Sequence, residues 1–181
     1  MRLSRALKTD QEIITRFITA LGSGSVALSN SKLPRPGFFI TAHVFIKEYI
    51  EERFYKKEEF LIKILEDGGF PPDSGPIGAI RTDQKKSIAA AESMLNAAKQ
   101  WEAGDTIARS ETGWGTSEFT STMRQHLERL KSLVLPLIEQ TISVDEEHNI
   151  SEQINSIVFE GGPEKHIKLI EQLEETLNDW K

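Results

Sequence analysis

Five segments of this chain carry large apolar residues spaced by threes and fours, and no stretch of useful length alternates apolar with polar. A repeat near 3.6 buries one face of a helix, whereas a half-buried strand needs a repeat of 2. The chain is therefore confined to packing helix against helix. Leu3, Leu7, Ile14, Phe17, Ile18 and Leu21 form the stripe of a first helix over about 3–21. Gly22, opening the tract GSGS, is expected to end it, and a polar linker leads to LPRPG at 33–37. A second helix over about 38–66 carries Ile50, Phe54, Leu61 and Leu65, and stops at Gly68 and Gly69. The turn GFPPDSGP follows, too rich in proline and glycine to continue either repeat. A third helix opens near Pro76, a residue favoured in a first turn. Its stripe is Ile77, Ile80, Ile88, Ala91, Leu95 and Ala98.

The stretch AGDTIARSETGWGTSE reads as a loop or frayed end. A fourth helix over about 117–141 then shows Phe119, Met123, Leu130, Leu133, Val134 and Leu137, with Pro136 expected to kink its last turns. After an acidic connector, a fifth helix spans about 163–180, with Ile167, Ile170, Leu173, Leu177 and Trp180 on one face. The expected architecture is all-α: an antiparallel up-down four-helix bundle with an additional C-terminal helix. Residues 1–181 form one domain, with a core at 3–141 and a C-terminal helical extension at 142–181.

Each of the first four stripes is interrupted by one polar residue. The row 7–11–14–18 passes through Gln11 and the row 50–54–58–61–65 through Glu58. The row 77–80–84–88–91–95 passes through Gln84, and 119–123–126–130–133 through His126. Burying such groups costs several kcal/mol each, on the order of 2–7, unless they find partners. They should meet one another, a metal or a ligand. Blander placements compete. Gln11 lies within TDQE, which fits a capping box of Thr9 with Glu12. Glu58 can snorkel from an edge, with Glu59 further round, and His126 alone can be a hydrogen-bonded core histidine. Gln84, flanked by Ile80 and Ile88, is the hardest to explain away. His43 lies too far along its helix to share the layer, about 22 Å from Glu58 at 1.5 Å per residue.

The chain also repeats itself: ALKTDQEII at 6–14 resembles AIRTDQKKS at 79–87, each opening the first helix of a helix pair.

Composition narrows the function. A length of 181 residues suits one core. The absence of cysteine excludes disulfides, thiolate metal sites, Fe–S clusters and a cysteine nucleophile. No run reaches the 18 or so apolar residues of a membrane span, and the start has no apolar h-region, so a cytoplasmic location is expected. The net charge of −6 speaks against a phosphate-binding surface, so no nucleic-acid or membrane partner is expected. The lysine pairs at 56–57 and 85–86 read as solvated helix faces. Trp101 and Trp114 are expected in core or end-capping roles. No Ser-His-Asp set, phosphate-binding glycine loop, HExxH or catalytic carboxylate pair is present, which disfavours an enzyme.

The residues from Arg53 to Gln84, RFYKKEEFLIKILEDGGFPPDSGPIGAIRTDQ, resemble the hemerythrin-like (HHE cation-binding) family in order and spacing. That family's second helix carries a His–His pair followed by xKEE, a Leu-rich turn, GFP, GP and an EH opening the third helix. HLERLKSLVLP at 126–136 is similar to the family's HIxKExxLFP, and EKHIKLIEQLEETL to its C-terminal helix. The resemblance implies a bundle in which each hairpin supplies one His from its first helix and a His-xxx-Glu pair from its second, holding two irons. The first-helix ligand positions fall here at Gln11 and Gln84. Those of the second helix fall at Phe54 (or Tyr55) and Glu58 (or Glu59), and those of the fourth at His126 and Leu130. Only Glu58 and His126 keep ligand chemistry.

One imidazole and one carboxylate fall short of a di-iron centre. Any single-metal site would need Glu58, Glu59 and His126, or Asp10 and Asp83 turned inward. The expectation is no cofactor, with iron as the alternative, and a core in which Glu58 and His126 form a charge-assisted hydrogen bond. Gln11 and Gln84 would complete it, while Phe54 and Leu130 fill the vacated volume. The chain then reads as a non-catalytic interaction or regulatory module, with a protein partner or a homo-oligomer. The alternative is an atypical metal-binding relative handling iron, oxygen or a small polar ligand in a pocket beside Tyr55.

Overall fold

The computed structural model describes residues 2–157 and 162–181, and every element among them is helical. Helix α1 is Arg2–Asn30. Helix α2 runs as Pro36–Phe45, a π-helical stretch Ile46–Phe54, and Tyr55–Asp67 without a break. Helix α3 is Gly75–Glu102. Helix α4 runs as Ala108–Arg129, a π-helical stretch Leu130–Val134, and Leu135–Thr141. Helices α5, Val144–Asn155, and α6, Glu164–Asp179, follow. None of the described helices is long and apolar enough to cross a membrane.

The GSGS tract does not end α1. A bare Cα at Gly24 lets the Phe38 ring of α2 approach so closely that an added Cβ would stand 2.3 Å from it. The Ser23 hydroxyl donates back to the Thr19 carbonyl at 3.0 Å, and the Ser25 hydroxyl lies 3.1 Å from that of Ser117 in α4. Packing of this kind outweighs a helix-propensity penalty of about 1 kcal/mol per glycine. Thr9 consequently sits mid-helix and caps nothing.

The same logic corrects the expected loop before α4. The helix starts at Ala108, with the Asp105 carboxylate accepting from the Ile107 N–H at 3.0 Å. Thr112 and Thr116 are buried and return their hydroxyls to carbonyls one turn back, at 2.8 Å each. Gly115 presses on α3 so tightly that a Cβ would meet the Met94 backbone nitrogen at 2.8 Å. The resulting α3–α4 contact is the most extensive in the structure.

Of the connector expected over 142–162, residues 158–161 lie outside the described residues. Its first part is helix α5, opened by a capping box in which Ser143 and Glu146 satisfy each other's backbone N–H. It packs on α1, where Glu147 accepts from the Leu3 N–H at 3.0 Å. Helix α6 lies against α1 and the first half of α2. Arg16 forks onto Glu174 at 2.8 and 2.7 Å, Glu48 receives Lys165 and His166 at 3.2 and 3.1 Å, and Trp180 packs on Phe38 at 5.0 Å.

Two stripes shift phase. In α3 the buried row is Ile77, Ile80, Asp83, Ser87, Ala90 and Met94, and Ile88 is exposed. In α4 the π-helical stretch carries burial from His126 through Leu130 and Val134 to Ile138, leaving Leu133 in solvent. That stretch sits just before Pro136, which has no N–H to donate and crowds the preceding turn. Trp114 is 71% exposed, against expectation. Trp101 is half-buried, with the Arg109 guanidinium 5.7 Å over its ring.

Gly115→Ala is expected to destabilise by about 1–3 kcal/mol, because two helix backbones must separate. Gly37→Ala, where an added Cβ meets nothing within 4 Å, should stabilise by up to about 1 kcal/mol. Urea denaturation of both variants checks the pair.

Candidate functional site

Among α1 to α4, nearer the start of α1 and α3 than their end, lies a layer of buried charge. Glu58 is fully buried, and Asp10, His126, Asp83 and Lys57 are each nearly so. The layer consists of two sets, one around Asp10 and one around Asp83, the second reaching across to Glu58 of α2.

In the first set, Asp10 of α1 meets the second helix of its hairpin. Lys57 Nζ lies 2.5 Å from Asp10 Oδ2, and the Tyr49 hydroxyl donates to Oδ1 at 2.6 Å. Arg53 Nε sits 3.4 Å from the same oxygen, its guanidinium 5.1 Å over the Tyr49 ring. Burial, then the Asp10 carboxylate, pushes the Tyr49 hydroxyl's pKa up, keeping it a donor. Arg53 and Lys57 are four residues apart, so one helix face delivers both cations.

In the second set, Asp83 of α3 meets α4. His126 Nδ1 donates to Asp83 Oδ2 at 3.1 Å, and Arg129 Nη1 bonds the same oxygen. His126 and Arg129, three apart, again share one face. His126 Nε2 then crosses to α2 and donates to Glu58 Oε2 at 2.6 Å. Glu58 Oε1 accepts from Gln84 Nε2 at 3.3 Å. Tyr55 closes the layer: its hydroxyl is 2.5 Å from Ser87 Oγ and 3.1 Å from Met123 Sδ, and its ring edge faces His126 at 5.9 Å.

Both ring nitrogens of His126 face carboxylate oxygens, so both must donate and the ring is an imidazolium. Burial by itself would lower its pKa, but the charges of Glu58 and Asp83 and their hydrogen bonds prevail and raise it to about 9. Asp83 shows the reverse balance: burial pushes its pKa up, and His126 with Arg129 brings it below the usual carboxylate range.

The structure thus brings together Glu58, Gln84 and His126, but places Asp10 and Asp83, not Gln11 and Gln84, on the buried rows. Gln84 is half-buried beside Asp83 and still reaches Glu58. Gln11 is half-buried and makes no bond within the layer; its amide nitrogen is covered and has no hydrogen-bond partner. Glu59 is exposed and pairs with Arg81 at 3.6 Å, so it is no ligand candidate. Phe54 and Leu130 are fully packed. His43 stands apart at 3.5 Å from Glu92. Lys57, read as a solvated lysine, is buried because α2 turns a two-residue-wide face inward: 54/55, 57/58, 61/62, 64/65.

Apolar periodicity alone does not single out Lys57, Arg53, Tyr49 and Arg129 as members of this layer. The repeated TDQ was the available signal, since its middle residue is the buried carboxylate in both copies.

Among the described residues no three His, Asp or Glu side chains are grouped to hold a metal ion. The donor set itself does not fit the pair of irons that the resemblance implies. An imidazolium donating from both nitrogens has no lone pair for a metal, and the Asp10 and Asp83 oxygens are held by Lys57, Tyr49, Arg129 and His126. Comparison with protein-family models, curated proteins and solved structures finds no match.

His126 has a raised folded-state pKa, so its contribution is complete below the unfolded value near 6.5 and is lost as pH rises through about 9. Stability to urea is expected to fall by about 3 kcal/mol across that window, and His126→Gln should flatten the slope. Glu58→Leu leaves the imidazolium with one partner fewer and is expected to cost about 2–4 kcal/mol at pH 7. Thermal stability equal to wild type would remove Glu58 from this role.

Proposed function

We propose that the chain is a hemerythrin-like helical bundle whose cation centre has given way to a side-chain ion network, and that it acts as a non-catalytic interaction or regulatory module. The proposed frame is an antiparallel up-down four-helix bundle of α1 to α4. Pairings along the helices support that direction: Ser4 bonds Glu139 while Ser25 meets Ser117, and Asp83 meets His126 while Gly115 abuts Met94. His43 pairs with Glu92 while Glu58 pairs with Gln84.

The observation that carries the reading is His126, held by Glu58 on one nitrogen and Asp83 on the other. A group so occupied neither ligates a metal nor acts as a general base, which needs a free lone pair near its substrate. Neither of the two grooves beside α1 and α4 is lined by Glu58, Asp83, His126 or Tyr55. A substrate or small polar ligand therefore has no route to the layer from either groove. This reading places function at the surface.

Purification with added ferrous iron, followed by metal analysis and a visible spectrum, tests this. The expected result is far less than one iron per chain, no oxo-bridged absorption and no rise in melting temperature. Stoichiometric iron with that absorption would overturn the proposal in favour of an iron-handling protein.

A further inference from the structure

A groove of about 1230 Å³ runs between α1, α4 and the C-terminal end of α6. It follows α1 from Ser4 to Ser23, about 28 Å at 1.5 Å per residue. A second groove of about 670 Å³ shares Thr19, Ser23 and Arg124 with it and carries the trough on past Val26. Its walls there are small residues, Gly22, Ser25 and Ser121 among them, which allow a visiting helix to approach closely. The apolar surface of the main groove is supplied by the half-buried Leu127 and Leu177, over Ile18 and Leu135 of the core.

The charge of this groove runs against that of the chain. The whole molecule is at −6, yet the groove carries six cationic side chains (Arg5, Lys8, Arg16, Arg124, Lys131, Lys181) against Glu12, Glu128 and Glu174. Two of the six are answered within the groove, Arg16 by Glu174 and Lys8 by Glu12. Arg5, Arg124 and Lys131 are exposed, and no ion pair or hydrogen bond holds them among the described residues. Three cations along an apolar trough, in an acidic protein, make a surface complementary to negative charge on an apolar stripe.

We propose that this groove docks an acidic amphipathic helix of a partner protein. The helix would lay its apolar face on Leu127 and Leu177 and its carboxylates on Arg5, Arg124 and Lys131, by helix-in-groove recognition with anchors at i, i+3, i+4 and i+7. The shape favours a helix over an acyl chain. The trough is open along its length, whereas small apolar ligands are held in sites that bury about 70–90% of their surface. The interleaved glutamates disfavour a phosphate backbone, which needs cations in series. The proposal gives a partner class to the interaction reading above and rests on it, but the residues concerned are separate from the Glu58–His126 layer.

The probe is a fluorescein-labelled synthetic peptide of twenty residues, with Leu at helical spacing and Glu on the remaining faces, followed by anisotropy. Saturable binding is expected. It should weaken with added salt and fall by about tenfold or more in the double variant Arg124→Glu, Lys131→Glu. Both side chains are exposed, so circular dichroism and melting temperature should match wild type. A second variant, Leu127→Asp, should also lose the peptide. The proposal is overturned if the peptide does not bind, or if a Lys-for-Glu version binds equally well. It is also overturned if the double variant binds like wild type, or if phosphatidylglycerol vesicles bind and the peptide does not. Iron loading in the preceding experiment would strike the metal-free reading and leave this result intact; failure of the peptide would leave the metal-free core intact.

Discussion

The hydrogen bond from His126 Nε2 to Glu58 Oε2 at 2.6 Å joins α4 to α2 across the middle of the protein, and the rest of the core is arranged around it. An isolated ion in such a place costs several kcal/mol even after relaxation, roughly 3–5 when one partner of a pair is removed. Each charge of the layer is therefore answered by another. Asp10 is met by Lys57 and Arg53, and Asp83 and Glu58 are met by His126 and Arg129. Such a network is weak evidence for stability, since well-packed hydrophobes often do as well. Its consequence is register. Sliding α4 by one turn along α2 would strand at least one buried charge, whereas the flanking Leu, Ile and Phe contacts are far less discriminating.

Holding charges in that register requires the backbone to depart from a regular α-helix, and it does so on both sides of the layer. The π-helical stretch of α2 ends at Phe54, three residues before Lys57. That of α4 begins at Leu130, four residues after His126. A wider turn inserts part of a residue into the phase. In α2, burial steps from 45/46 to 49/50 and then to 54/55, a stride of five that keeps Tyr49 and Lys57 both on Asp10. In α4 the same device expels Leu133 and accommodates Pro136. Close contacts at Gly24 and Gly115 then set how near the helices stand, which fixes the reach of the polar side chains between them.

Much of this was legible in the residues. The stripes of α2 and α6, both proline-flanked turns and the polar interruption at Glu58 and His126 are all consequences of local periodicity. The errors have physical causes. The GSGS tract and the Thr- and Gly-rich start of α4 were read as breakers because local propensity is a weak prior, and the aromatic ring or helix that they admit comes from a distant part of the chain. In α1, the rows 7–11–14 and 7–10–14 share the same apolar anchors, so periodicity alone cannot separate Gln11 from Asp10. The cost of burying an ion favours glutamine until Lys57 is known to stand opposite. In α3, Ile88 drew the row through Gln84, although its side chain faces solvent. The TDQ repeat held the answer, since chance alone gives no reason for an aspartate at the same depth of two helices.

That repeat also shows in the charges of the layer. Each hairpin places an aspartate on its first helix and two cations on one face of its second: Asp10 with Arg53 and Lys57, Asp83 with His126 and Arg129. The two clamps have the same composition, one aspartate and two cations, and Glu58 adds a third carboxylate to the second of them through His126. With Asp10 met by Lys57 and Arg53, Asp83 by His126 and Arg129, and Glu58 by His126, every buried carboxylate of the layer has a cation beside it, and neither surface groove need lead to it. The exposed cations of the trough along α1 and α4 can change without disturbing the layer, because Arg5, Arg124 and Lys131 share no partner with Asp10, Asp83 or Glu58.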